Sequence, residues 1–541
     1  MNEYLEIEIG TSSYKNSGIV GLIYMLRNYE AVEGDDFIIE KYKVKIKLSY
    51  LKDLDITDAF TKAYVEKFRT STSLYRLIQS FDKLEIMESA QREKAYKDIK
   101  KKIKEMRKNR YTSQILNVKL TSEENLKLAQ KLEDTISKII EEDYNKEDLQ
   151  ELKSILLNPN IFEYLSFADI KLKISEYWDG ILFLNRQDYR KDFKMIYQTK
   201  MEQVLKKYIF DEYDTGTRQC VECGNLSKDY FNISFIGQIT DSGRKKSYFW
   251  DFKEEANVCP VCAFLYTLMP LGYVKVGQDS LFINSNSSIY DLVKMNEKVE
   301  FLNEERESLK GYLFKKISLL TLEQYSQNIG VQIDLRSSVG TSKKREQVII
   351  EPNLINLFKN KKECFEKVYS KIVKCDDGFY DVYDHLIESL LRHQTLYTMI
   401  NYLQRQHEKN GGSNYYLLYL LDIEMYQKYI NKKRKGEDMV INNRRAQYLG
   451  IELKKEYLKN KSQGYLDGKM RNLRNALRKK DYIEMKSTIE EMYYAVCGHT
   501  SDEMALIINS DDKEIVRSIA TSFLIGLSQE NKDGKQGELY E

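Results

Sequence analysis

Residues 220–224 read CVECG and residues 259–262 read CPVC, with thirty-five residues between the two pairs. The pairs take four of the seven cysteines in a 541-residue chain that has only four prolines. A Cys-x-x-Cys turn aims two thiolates at one centre, and two such turns supply the four sulfurs of a tetrahedral zinc site, with Zn–S near ~2.3 Å. Gly224 tolerates the positive φ of a tight knuckle, and Pro260 restrains φ inside the second pair. Between the pairs, NISFIGQI and SYFWDF are β-rich and TDSGRKK is a turn. Two knuckles joined by a hairpin make a zinc ribbon. Cysteine fills all four positions, Cys220, Cys223, Cys259 and Cys262, so no slot is left for water and the predicted zinc is structural. Cys364, Cys375 and Cys497 read as buried small apolar residues. Cys497 with His499 offers a metal half-site without a partner pair.

Apolar residues make up 42% of the chain and charged residues 31%, a globular balance rather than a disordered one. The length predicts several domains. No uncharged apolar run approaches the roughly 20 residues that span a bilayer, and MNEYLEIEIG carries acids where a secretion signal carries lysines. The expected location is the cytoplasm, where thiols stay reduced and paired cysteines point to metal rather than disulfide.

The net charge is only +2, so any nucleic-acid site must come from local patches. Two segments supply them. QREKAYKDIKKKIKEMRKNR, residues 91–110, has ten Lys/Arg against three acids, and is either a solvated helix face or a phosphate-tracking helix. Residues 428–480 hold seventeen Lys/Arg and five acids, so the remainder of the chain sums to −10. In LDGKMRNLRNALRKKD, Arg471, Arg474 and Arg478 fall within about 60° of one another on a helical wheel. Leu466, Met470, Leu473 and Leu477 lie on the opposite side. Ile515, Val516, Ile519, Ala520, Phe523, Leu524 and Leu527 form a second apolar face, with acids at its amino end. This pattern predicts a small helical bundle with one basic wall, which a phosphate backbone, an acidic protein or solvent could face. Tyr448, Tyr457 and Tyr465 are candidates for base stacking.

The rest reads as α+β and predominantly helical: a multidomain chain with a central zinc ribbon and a C-terminal helical bundle. The expected domains are an α/β then helical region (1–212), the ribbon (213–270), a small β-containing region (271–360), a helical region (361–430) and the basic bundle (431–541). EYLEIEIG is strand-like and SSYKNSGIVGLIYMLRN helical. On that helix Gly18 and Gly21, three apart, signal either close helix packing or close approach to a ligand. VQIDL and QVIIEP are strands joined by the basic turn SSVGTSKKRE, and HEKNGGSN and NKKRKGED are candidate linkers. No Walker loop, HExxH or GxSxG occurs, and the chain has only four histidines. Asp384-His385 in VYDHLIESL has no remote His-Asp partner set and reads as a helix-surface pair.

In this order, these features resemble the large subunit of type I-B CRISPR surveillance (Cascade) complexes, in its CXXC–CXXC branch. NSGIVGLIYML resembles that family's opening block, and CVEC and CPVC sit at its mid-chain spacing. SLFINSNSSIYDL follows as the family's asparagine-rich segment does. The tail RRAQYLGIELKKEY…MRNLRNALRKKDYIEM…IATSFLIGL is similar to the small helical subunit often encoded in the same reading frame. The resemblance implies a non-enzymatic subunit of an RNA-guided antiviral complex. Such a subunit reads a short flanking motif in duplex DNA, helps open it and holds the displaced strand, while base pairing with a guide RNA reads the target. The implied partners are guide RNA, target DNA, the backbone and guide-end subunits, and a helicase–nuclease, with no membrane. Met425 or Met439 would start a separate small subunit. Arg471, Arg474 and Arg478 are the expected strand contacts; Lys15, Asn16, Ser285 and Asn286 are further candidate nucleic-acid contacts. The rival from another class is a zinc-ribbon nuclease or other nucleic-acid-processing enzyme.

Overall fold

A computed structural model describes residues 3–108, 123–141, 145–174, 177, 193–210, 218–232, 257–276, 279–297, 331–339, 342–369, 371–376, 378–429 and 433–529. The chain divides into two compact units: Met1–Lys298 with Gln332–Gln347, and Val299–Val331 with Val348–Glu541. Helices predominate in both.

The first unit opens with β1 (Tyr4–Glu8), α1 (Ser13–Asn28), β2 (Phe37–Ile39) and β3 (Lys43–Lys47). The strands form an antiparallel sheet in the order β1-β3-β2. Alternation sets its two faces. In KVKIK, Val44 and Ile46 are buried, while Lys43 pairs with Glu6 at 2.8 Å and Lys45 with Glu40 at 2.6 Å. The lysines of this strand are thereby neutralised.

After α2 (Leu48–Asp53) comes α3 (Ile56–Phe68), whose amino end is capped twice. Asp55 accepts from Asp58 N, and buried Glu202 accepts from Thr57 N at 3.0 Å and Thr57 Oγ1 at 2.6 Å. Helices α4 (Ser73–Ile86), α5 (Ser89–Lys108), α6 (Glu123–Glu141), α7 (Lys146–Leu156) and α8 (Pro159–Lys173) follow. They close a second apolar core around Phe81, Ile99, Ile103, Leu132, Ile136 and Leu152. The basic stretch at 91–108 thus buries Tyr96, Ile99 and Ile103 and turns its lysines outward.

Then come α9 (Phe193–Tyr197), a π-helical turn (Gln198–Glu202), α10 (Gln203–Phe210) and four two-residue strands: β4 (Arg218–Gln219), β5 (Leu226–Ser227), β6 (Phe231–Asn232) and β7 (Asn257–Val258). Helix α11 (Pro260–Gly272) is buried at every residue but Val261 and is the axis of the main core. It packs against α1 with almost no room between the backbones. A Cβ on Gly18 would overlap the Leu265 carbonyl oxygen, one on Gly21 that of Leu268, and one on Gly272 that of Ser17. Close helix packing is therefore what Gly18 and Gly21 serve. The carboxy end of α11 is satisfied from α3: Tyr64 donates to Thr267 O at 2.6 Å and Lys67 to Leu271 O.

β8 (Val274–Val276), β9 (Asp279–Asn284), α12 (Ile289–Asn296) and the long hairpin β10 (Val331–Val339) and β11 (Ser342–Ile350) follow, the sheet running β11-β10-β9-β8. The basic segment after residue 341 is strand rather than turn. α11 carries the second cysteine pair into the core shared with α1 and α3.

The second unit holds α13 (Pro352–Asn360), α14 (Lys362–Val368), the hairpin β12 (Ile372–Cys375) and β13 (Gly378–Asp381), α15 (Val382–Leu391), α16 (Tyr397–Asn410) and α17 (Tyr416–Tyr429). Its bundle comprises α18 (Lys433–Asn460), α19 (Gln463–Lys479), α20 (Tyr482–Cys497), α21 (Asp502–Ile508) and α22 (Lys513–Ser528). One apolar core spans it, drawn entirely from residues between Ala446 and Leu527. Gly450 and Gly526 let α18 and α22 touch backbone to backbone. The linker expected at 431–438 is helical from Lys433 onward. A single Gly436 costs only about 1 kcal/mol there, and no proline stops the helix.

Candidate metal centre and nucleic-acid interface

The first cysteine loop is built by backbone hydrogen bonds. Cys220 N donates to Asn225 O and Gly224 N to Cys220 O, each at 2.9 Å, with Gly224 at φ +77. Val221 N donates to Asn257 O at 3.0 Å, which lashes the loop to the strand just before the second pair. The second pair is arranged differently. Cys259 is the N-cap of α11, Pro260 takes the first helical position, and Cys262 stands in the first turn. The expected second knuckle is thus a helix start, where the helix dipole favours thiolate. The hairpin expected between the pairs lies largely outside the described residues; among the described ones Phe231 pairs with Val258 and Asn232 with Asn257.

Cys220, Cys223, Cys259 and Cys262 place their sulfurs within 4.8 Å of one another, with Cys223 Sγ and Cys259 Sγ 3.6 Å apart. A tetrahedron with metal–sulfur bonds of ~2.3 Å has edges of ~3.8 Å, so the set fits a metal ion with small adjustments. Cys220, Cys259 and Cys262 are buried and Cys223 is half-buried. The sulfurs compete for protons. Cys220 is held far below the ordinary thiol range because Cys223 first, then Cys259 and Cys262, donate to it. Cys259 and Cys262 are pushed up, each first through its hydrogen bond with Cys220. Four thiolates in this space need a cation to offset their charge. Four protein sulfurs also close the coordination sphere, as in structural sites.

Sequence reasoning missed what stands behind the sulfurs. Tyr266, on α11, donates its hydroxyl to Glu222 Oε1, inside the first cysteine loop. Burial first, and then the Glu222 charge, push the Tyr266 phenol far above its ordinary range, so it remains a donor. The available signal was the four-residue step from Cys262 to Tyr266, which puts both on one helix face. Also unforeseen is a buried pair on β10. Asp334 accepts from Tyr273 OH at 2.9 Å and Ser13 Oγ at 3.2 Å, and the Arg336 guanidinium lies 4.8 Å from the Tyr177 ring and 5.2 Å from the Tyr273 ring.

Of the remaining cysteines, Cys364 and Cys375 are buried as expected, but Cys497 is exposed. It ends α20 just before Gly498, the C-cap, which takes a left-handed φ of 77. Cys497 and His499 join no group of metal-ligating residues among the described ones. Asp384 and His385 lie in the first turn of α15, which Asp381 caps by accepting from Asp384 N at 3.0 Å; His385 stacks on Tyr380 at 3.9 Å and its Nδ1 lies 2.7 Å from Asp381 O.

The amino-terminal candidates converge, yet they are mostly internal. Asn16 Nδ2 donates to Asn284 Oδ1 at 2.7 Å and lies 3.1 Å from Asn286 Oδ1, and Asn16 Oδ1 accepts from Gly10 N at 2.8 Å. Asn16, Lys15 and Ser285 are buried; of the four only Asn286 is exposed. The Asn16 amide is therefore engaged in joining α1 to β9, which leaves Asn286 as the accessible member.

On α19 the expected leucine face is buried at Leu466, Met470, Leu473 and Leu477. Arg471 and Arg478 are exposed and have no ion-pair partner among the described residues. Arg474 departs from the expected stripe. Its side chain is only 14% exposed and pairs with Glu408 on α16. Lys479 and Lys480 extend the exposed basic edge. Tyr457 is fully buried, while Tyr448 and Tyr465 are half exposed.

No helix among the described residues is long and apolar enough to cross a membrane. Comparison with curated proteins and with solved structures gives no match. Residues 213–274, which hold all four cysteines, match the family model for CRISPR-associated protein (Cas_CXXC_CXXC). In the segment that holds its four clustered cysteines the chain is thus similar to a family of CRISPR-associated proteins.

Proposed function

We propose that this chain is the non-catalytic large subunit of an RNA-guided DNA surveillance complex of type I-B, working in the cytoplasm in antiviral defence. In this reading it recognises a flanking motif in duplex DNA, stabilises the opened strands and receives a helicase–nuclease, while a guide RNA reads the target by base pairing. The carrying observation is the match of residues 213–274 to a CRISPR-associated family. Two features support it. The cysteine cluster is closed by four protein sulfurs, as a structural zinc requires. The carboxy-terminal bundle has an exposed basic edge at Arg471, Arg478, Lys479 and Lys480, suited to phosphates.

The bundle's core begins at Ala446. A product started at Met425 or Met439 would contain that core entirely and would serve as the small subunit. Arg471, Arg478 and Asn286 are the proposed nucleic-acid contacts. Affinity purification from the native host tests the reading. Guide RNA, repeated backbone subunits and a short carboxy-terminal fragment are expected to copurify. Purification of the chain free of RNA and of other subunits would refute it.

A further inference from the structure

Metal sites depend on the groups that hold their ligands, and the two halves of this one are held unequally. Cys259 and Cys262 belong to α11, a helix buried in the main core. Cys220 and Cys223 belong to a short surface loop, with Val221 exposed on one side of Glu222 and Cys223 half-buried on the other. Beyond its own turn bonds, the loop is tied to the second pair's strand, among the described residues, by Val221 N–Asn257 O. Glu222 immediately precedes Cys223, so whatever fixes its side chain also limits where the Cys223 sulfur can go.

Tyr266 supplies that restraint. It lies one helical turn beyond Cys262 on the same face of α11, is 0% exposed, and donates to Glu222 Oε1. Its ring is in turn set edge-on against Tyr14 of α1, at 6.1 Å and 62°. A core helix therefore holds, through Tyr266, the loop half of the ligand set.

We propose that Tyr266 and Glu222 form an outer-sphere brace that positions the first cysteine loop against α11 and sets how tightly the four sulfurs retain their metal. Both are positioning residues, acting through Cys223. The brace rests on the sulfur cluster alone, so it stands or falls independently of the proposed function.

The test measures zinc affinity of the full chain by competition with a chromophoric chelator. Cobalt(II) spectra check that all four sulfurs still bind. Tyr266→Phe and Glu222→Ala are each expected to weaken zinc binding by roughly tenfold or more, in the range typical of outer-sphere changes. Glu222→Gln, which keeps an acceptor oxygen, should stay within about threefold of the parent. The metal-free proteins should melt at the same temperature, because the brace acts on the loaded site. Glu222→Ala, at the less buried end of the pair, carries the test if Tyr266→Phe fails to fold. The proposal is overturned by an affinity within twofold of the parent in either truncation. It is equally overturned by a matching loss of stability without metal, or by absence of the tetrathiolate cobalt spectrum in the parent.

Discussion

Cys223 and Cys259 bring their sulfurs to 3.6 Å although 36 positions separate them in sequence. One belongs to a surface loop and the other caps a core helix. The cysteine cluster therefore joins loop to core, and loss of a metal bound there should reach beyond the loop. Chelation, or Cys262→Ser, is expected to destabilise the first unit by several kcal/mol. Its melting temperature should fall by roughly 5–10 °C. Calorimetry that shows an unchanged first-unit transition after metal removal would contradict this.

Gly21 faces the Leu268 carbonyl with no space for a Cβ. Gly21→Ala should cost about 1–3 kcal/mol, as overpacking does. Denaturant titration measures the loss. Binding of nucleic acid by the folded variant should be unaltered, which separates packing from a ligand role for this glycine.

Asp422, on α17, is 3% exposed, and burial pushes its carboxyl up to about 6, with Lys361 and Arg444 opposing. An acid whose folded pKa exceeds its unfolded value near 3.9 binds more protons folded than unfolded between those values. Stability then falls as pH rises from about 4 to 6, and the deficit persists above 6. Asp422→Asn should therefore stabilise the second unit at pH 7–8 by up to about 2 kcal/mol. The gain should vanish below about pH 4. Melting curves across that range check the sign, and an equal shift at every pH would point to packing instead.

Arg474 is paired with Glu408, whereas Arg471 and Arg478 are free of ion pairs among the described residues. Replacing both exposed arginines by alanine should lower the salt dependence of single-strand binding by about 1.4 in log–log slope. Arg474→Ala should change it little. Titrations at several salt concentrations distinguish the three positions, and equal effects at all of them would count against the proposed edge.

Much was legible in the order of residues. Two Cys-x-x-Cys pairs already name a soft-metal site, because few other roles need four thiols in matched turns. The leucine face of α19 followed from helical periodicity, and Leu466, Met470, Leu473 and Leu477 are indeed buried. Periodicity assigns a residue to a side of its own helix, however, and is silent about what another helix brings there. Glu408 lies 66 positions from Arg474, and nothing local announces that it will neutralise one arginine of three.

The same limit explains Asn16 and the second cysteine pair. A polar residue at a helix start looks available for a ligand until Asn284, far along the chain, takes up its amide. CPVC looks like a second knuckle until the apolar run after it is seen to be a buried helix packed on Gly18 and Gly21. The sequence by itself determined the chemistry on offer: four thiols, a basic carboxy-terminal segment and amphipathic helices, all written in residue type and spacing. Only tertiary structure decided which of those groups remain accessible. Burial and long-range pairing are set by contacts between distant segments, and such contacts leave no periodic trace in either partner alone.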